Sequence, residues 1–218
     1  MSVHPDTLAL NGHAGAVDCA LDWPAQAPRG WALLLHPHPL YGGARGNKVV
    51  TTLARACTLA GLLAVRPDFR GVGRSGGTYD EGRGEADDML GLPAQLLERF
   101  PELQGLPFVL GGFSFGSAVA SQVEARADQA GLPPRVGVML VGAAVERFEV
   151  ARVPPDTLVV HGEQDDTIAL ASVLDWARPQ DQPVVVIPDA SHFFHGKLVP
   201  LRRVVENYLR LVLPAHAG

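Results

Sequence analysis

The chain has 218 residues, 18 Lys and Arg against 23 Asp and Glu, and a formal net charge of −5. That length suits a single α/β domain spanning residues 1–218, with a core large enough to need no staples. The mild acidity, without basic clusters interleaved with aromatics, argues against nucleic acid, and no apolar stretch approaches the roughly 20 residues that span a bilayer. Cys19 and Cys57 match no metal or redox spacing, and the N-terminus shows no basic segment followed by an apolar one. Reduced thiols in a cytoplasmic protein are therefore expected.

The first 24 residues carry turn signals at Asn11-Gly12 and Ala14-Gly15 and read as an antiparallel strand pair at one sheet edge. Six apolar runs follow: 31–35, 62–65, 108–110, 136–141, 158–160 and 184–187. None alternates polar with apolar, the pattern of strands buried on both faces of a parallel sheet. Helix-like segments fall between or after them, at 47–60, 84–99, 115–130, 168–177 and 197–212. Asn47 sits where an N-cap belongs and Gly61 where that helix should stop. Strands alternating with helices predict a mostly parallel, doubly wound α/β sheet of about seven to eight strands.

Ligands of such sheets bind beyond the carboxyl ends of the strands. The polar residues cluster there: His36 and His38, then Asp68 and Arg70, Ser114, His161 with Asp165 and Asp166, and Asp189, Ser191 and His192. Ser114 lies in Gly112-Phe113-Ser114-Phe115-Gly116, between an apolar run and a helix, which is the G-x-S-x-G pattern of a nucleophile elbow. Glycine is needed because a Cβ at 112 or 116 would strike the neighbouring strand or helix start. A serine needs a base, and a histidine base needs an acid that fixes its tautomer. The candidates downstream include the carboxylates Asp165 and Asp166 and the imidazoles His192 and His195.

His161-Gly162-Glu163-Gln164-Asp165-Asp166-Thr167-Ile168 resembles the H-G-x-x-D-x-x-V element of α/β-hydrolases, and Ala190-Ser191-His192-Phe193-Phe194 is similar to their final histidine loop. The segment from Pro67 to Ser75, with Asp68-Phe69-Arg70-Gly71-Val72-Gly73-Arg74-Ser75, resembles their D-x-R-G-x-G-x-S turn. His36-Pro37-His38-Pro39-Leu40-Tyr41-Gly42-Gly43, with Asn47-Lys48-Val49-Val50, resembles a subgroup of small bacterial members. The resemblance runs from about residue 31 to the C-terminus. It implies a triad of Ser114, Asp165 and His192, in that chain order. It also implies an oxyanion hole formed by the Phe115 N–H and a donor from the loop after the first central strand. Pro37 and Pro39 have no N–H, which leaves His38 or Leu40; His38 aligns with the usual donor.

Other roles follow. Asp166 is expected to cap a helix starting near Thr167, and His195 to be a neighbour of the site. Glu163 is expected to be solvated, Asp189 to serve its loop, and His161 to bond within its turn. Asp68 and Arg70 read as an ion pair bracing the loop beside the elbow. Glu81, Glu85, Asp87 and Asp88 read as a solvated helix face. His36-x-His38 lacks a third ligand for a metal, and no cofactor is expected. Residues 144–155 are too few for a lid domain. An open site is expected, shaped by the 36–43 loop, the 72–81 loop, the 145–154 segment, Phe193 and Phe194. The expected reaction is hydrolysis of a small carboxylic ester or related acyl compound through an acyl-enzyme on Ser114. Acyl transfer and thioester or peptide cleavage use the same triad, and an idle binding module on the same scaffold is the rival of another class.

Overall fold

The computed structural model describes residues 5–215. Its eight strands are β1 (Thr7–Gly12), β2 (Gly15–Asp22), β3 (Gly30–Leu35), β4 (Leu62–Pro67), β5 (Phe108–Phe113), β6 (Arg135–Val141), β7 (Leu158–Gly162) and β8 (Val184–Ile187). The helices are α1 (Lys48–Leu59), α2 (Arg83–Arg99), α3 (Phe115–Arg126), α4 (Leu170–Ala177) and α5 (Leu198–Val212). One sheet runs β1-β2-β4-β3-β5-β6-β7-β8. The pair β1–β2 and its junction with β4 are antiparallel; every other neighbour is parallel. The strand pair expected from the first 24 residues forms that antiparallel edge.

The apolar runs conceal a period of two. Trp31, Leu33 and Leu35 of β3 enter one core, while Ala32 and Leu34 enter the other. Leu110, Leu140 and Val159 face the first core, and Val109, Met139 and Val160 the second. Both sides of these central strands are apolar because α2, α3 and α4 cover one face of the sheet and α1 and α5 the other. The run at 184–187 departs from the expected two-sided burial, since β8 is the edge strand and leaves Val185 and Val186 exposed. In α5 the buried residues Leu201, Val205 and Leu209 recur every four positions, a stripe turned to the sheet. Asn47 caps α1, its Oδ1 accepting from the Val49 N–H at 2.9 Å. Helix α3 stops at Arg126, short of the predicted residue 130, and α4 starts at Leu170 rather than 168. Among the described residues no helix is long and apolar enough to cross a membrane.

The predicted acidic face of α2 is a correction. Glu85 and Asp88 are buried, at 0% and 1% exposure. Their spacing of three places both on the inner side of the helix, and each satisfies orphan amides. Glu85 accepts from the Asp80 and Gly82 N–H groups, both at 2.9 Å, closing the start of α2. Asp88 accepts from the His13 N–H at 2.7 Å, the Ala14 N–H at 3.3 Å and Arg70 Nε at 2.7 Å. It therefore hooks the β1–β2 turn onto α2. The expected Asp68–Arg70 pair does not form. Asp68 instead accepts from the Arg45 N–H at 2.8 Å and lies 3.3 Å from Arg45 Nε. Arg45 also reaches Asp18 at 2.9 Å, and Arg74 reaches Asp18 at 2.9 Å. The loops after β3 and β4 are braced by this web.

His36 is a strut within it. Fully buried at the end of β3, its Nε2 accepts from the Phe69 N–H at 2.9 Å, so Nδ1 carries the proton and donates to the Pro37 carbonyl at 2.7 Å. Burial pushes its pKa down from 6.5 to about 4, and the ring is neutral at physiological pH.

Two outcomes test these contacts. Replacing Asp88 strands the mostly buried Arg70, so Asp88→Ala should cost about 3–5 kcal/mol of unfolding free energy. Asp87→Ala, which breaks only a half-exposed pair with Arg126, should cost under about 1 kcal/mol. Urea unfolding of both variants checks the contrast, and equal midpoints would refute it. The His36 pKa is lower in the folded chain, so the unfolded chain takes up the proton first as pH falls. The stability it contributes is full above about 6.5 and is lost toward about 4. His36→Gln should therefore remove about 2 kcal/mol of the stability difference between pH 7 and pH 4.5.

Candidate active site

Ser114 occupies the turn between β5 and α3 with φ 56° and ψ −119°, a conformation that side chains rarely adopt. Holding a serine there costs about 1–3 kcal/mol, so the surroundings must enforce it. Three contacts do so. The Ser114 N–H donates to the Val141 carbonyl at the end of β6, at 2.9 Å, and the Ser117 hydroxyl donates to the Ser114 carbonyl. The third is the absence of two Cβ atoms. One on Gly112 would strike the Gly116 carbonyl, and one on Gly116 would strike the Leu35 carbonyl. Backbone therefore packs on backbone beneath the serine, and Ser114 Oγ is lifted to the carboxyl edge of the sheet.

The structure brings Ser114, His192 and Asp165 together. His192 Nε2 is 2.9 Å from Ser114 Oγ, and His192 Nδ1 is 2.7 Å from Asp165 Oδ2. Asp165 Oδ1 accepts from the Thr167 N–H at 2.9 Å and the Ile168 N–H at 2.8 Å. Burial raises the Asp165 pKa, but the bonds from His192, Ile168 and Thr167 outweigh it and hold the carboxyl below its ordinary value. An ionised Asp165 requires the proton of neutral His192 on Nδ1, which leaves Nε2 free to accept from the serine.

The competitors stand elsewhere. Asp166 is exposed and reaches only the Thr167 hydroxyl, at 3.4 Å. It does not cap α4; Asp165 ties down that turn instead, and the residue before α4, Ala169, makes no side-chain cap. His195 is exposed, its ring 6.1 Å from that of Phe193. Glu163 is exposed yet accepts from the Asp189 N–H at 2.9 Å, linking the acid loop to the histidine loop. His161, which bonds within its turn to the Ile168 carbonyl at 2.9 Å, also lies 3.3 Å from Asp165 Oδ2. Sequence reasoning did not place it against the acid, although a spacing of four residues across a turn permits it. Among the described residues no group of three or more His, Cys, Asp or Glu is arranged to hold a metal ion.

The loop after β3 forms one wall. His38 Nδ1 accepts from the Leu40 N–H at 3.2 Å, so Nε2 carries the proton and faces the Tyr79 hydroxyl at 3.1 Å. Its ring packs against Tyr41, Tyr79, Phe115 and Phe148, with centroids 4.7–5.4 Å apart. Ser114 and His192 open into a cavity of about 180 Å³ walled by His38, Tyr41, Arg147, Phe148 and Phe193, among others. The 145–154 segment thus contributes Arg147 and Phe148. Two expectations are corrected. The 72–81 loop supports the wall through Tyr79 rather than lining the cavity. Phe194, with φ 53°, turns its ring into the second core and is fully buried, leaving only Phe193 at the surface. A larger surface cleft, about 850 Å³, lies at the opposite end of the sheet between residues 24–29 and the end of α5 and contains none of these groups. Residues 142–157, between β6 and β7, form no helix or strand, and among the described residues no lid covers the cavity.

No protein-family model matches the chain. It is 30% identical over 192 residues to an uncharacterized protein of Rickettsia prowazekii, covering 82% of this chain and 77% of that protein. Among solved structures, an α/β serine hydrolase without a lid from Xanthomonas campestris is 32% identical, with a TM-score of 0.86 over 99% of this chain and 100% of that one. An α/β serine hydrolase homologue from Coxiella burnetii is 30% identical, with a TM-score of 0.79 over 95% and 98% of the two chains. With an elbow serine on a mostly parallel eight-stranded sheet and near-complete overlap with these relatives, the chain belongs to the α/β serine hydrolases, among those built without a lid.

Proposed function

We propose that the protein hydrolyses a carboxylic ester or related acyl compound through an acyl-enzyme on Ser114. The observation that carries this reading is the continuous chain of short contacts from Ser114 Oγ through His192 to Asp165. His192 takes the serine proton as Ser114 attacks the substrate carbonyl, and the Asp165 carboxylate stabilises the imidazolium that results. His192 then returns the proton to the leaving group. Water, activated by the same imidazole, releases the acyl group and restores the serine.

The tetrahedral oxyanion is held by the Phe115 and His38 N–H groups. Phe115 is the first residue of α3, where the partial positive charge of the helix terminus adds to its own dipole. The Leu40 N–H is engaged by the His38 side chain, which favours the His38 N–H as the second donor. Each such donor is worth about 3–4 kcal/mol in the transition state. His36, locked between Phe69 and Pro37, fixes the backbone that presents it. The scheme uses only side chains and amides of this chain, with a small acyl compound as partner. The small cavity and absent lid favour short acyl groups over long lipid chains.

Ser114→Ala should lower hydrolysis of a small nitrophenyl ester by about 10⁶-fold, and Asp165→Asn by about 10⁴-fold. A fluorophosphonate should label the wild type and not Ser114→Ala. Undiminished turnover in Ser114→Ala, or a wild type inert to the probe, would refute the assignment; the second result would favour a binding module.

A further inference from the structure

The cavity that holds Ser114 has one permanently charged cation in its wall. Arg147, on the connection between β6 and β7, lines it together with Ser114, His192 and Phe148, and no aspartate or glutamate does. Arg147 is exposed, and among the described residues its guanidinium makes neither an ion pair nor a hydrogen bond. The acid beside it is engaged elsewhere, since Glu146 accepts from the Ala169 N–H at 3.1 Å and from the Ser172 hydroxyl. Burial first, and then the charge of Arg147, holds the His38 pKa below its ordinary value, so the guanidinium charge is felt at the cavity wall.

Most exposed arginines are simply solvated. Two things set this one apart. The chain carries a net charge of −5, so an uncompensated cation here does not reflect a generally basic surface. It also lines the same cavity of about 180 Å³ as the nucleophile. A guanidinium presents a planar fork of donors that matches a carboxylate. Tyr41, Phe148 and Phe193 supply the apolar wall along which a short spacer would lie.

We propose that Arg147 is a specificity determinant that selects acyl compounds carrying a carboxylate, so that the preferred substrate of Ser114 is a half-ester of a short dicarboxylic acid or a similarly anionic acyl compound. The proposal rests on the reading of Ser114 as the nucleophile. The reaction that supplies such a substrate is one that joins an alcohol to one carboxyl of a short diacid with loss of water or of an activating group.

Two nitrophenyl esters of equal acyl length test it: 4-nitrophenyl butyrate and mono-4-nitrophenyl succinate. The ratio of kcat/KM, succinate over butyrate, should fall about tenfold in Arg147→Gln, mainly through KM. It should fall further in Arg147→Glu and recover in part in Arg147→Lys. High salt should shrink the wild-type ratio. A ratio unmoved by Arg147→Gln and Arg147→Glu overturns the proposal. A second arm needs no turnover. Calorimetry on Ser114→Ala compares N-phenylsuccinamate with N-phenylbutyramide. The anion should bind about tenfold tighter, an advantage lost in Ser114→Ala/Arg147→Gln. Equal binding of the two amides overturns the proposal. If the wild type resists the fluorophosphonate while the anionic amide binds through Arg147, the hydrolase reading falls and anion selection stands.

Discussion

Everything in the site hangs on a backbone conformation that Ser114 would not choose. With φ at 56°, the residue is held by the hydrogen bond to Val141, by the Ser117 hydroxyl and by carbonyls packed where Cβ atoms would otherwise sit. Those contacts draw β3, β5, β6 and the start of α3 into one rigid junction. Two further strands then deliver the partners to the same edge, β7 through Asp165 and β8 through His192. The strain is local, and the cores on both faces of the sheet that offset it are extensive.

The loops beside the serine are fixed by three histidines used in three different ways. His36 ties the end of β3 to the Phe69 backbone. His38 turns its own loop back by accepting from Leu40, and stacks within an aromatic cluster. His161 closes the acid loop on the Ile168 carbonyl beside Asp165. Burial comes first in lowering the pKa of each, which keeps these rings neutral, so they act as rigid donors and acceptors with no charge to hydrate. The charged web of Asp18, Arg45, Asp68 and Arg74 does similar work one layer out.

The fold was legible because parallel strands buried on both faces leave unbroken apolar runs, and these recur between helical segments from residue 31 onward. Ser114, Asp165 and His192 could be picked out because each lies a few residues beyond such a run and within a segment that resembles an α/β-hydrolase motif; position alone left Asp166 and His195 open. What could not be read were contacts between segments far apart in sequence. Arg70 has Asp68 two residues away and yet pairs with Asp88, because the β4 turn points it at α2. Glu85 and Asp88 looked solvated because acidic residues usually are. The His13 and Ala14 amides that Asp88 satisfies are brought near only by the folded chain, whereas Glu85 caps the nearby Asp80 and Gly82 amides, a local signal that its spacing carries. Phe194 looked like a partner of Phe193 at the surface. With a positive φ, Phe194 turns its ring into the second core while Phe193 stays exposed.

The bare connection between β6 and β7 also bears on the fate of an acyl group. An enzyme that closes over its substrate can ration water and hand the acyl group to another acceptor. Among the described residues no helix or strand folds over the cavity, so an acyl-serine formed there would be open to solvent. Partitioning then turns on concentration, and water is the most abundant acceptor present. Nor would a gating motion be needed before the next substrate enters, so the slow step of the cycle would lie in bond making and breaking rather than in opening. A missing segment can in this way steer both the product and the rhythm of turnover.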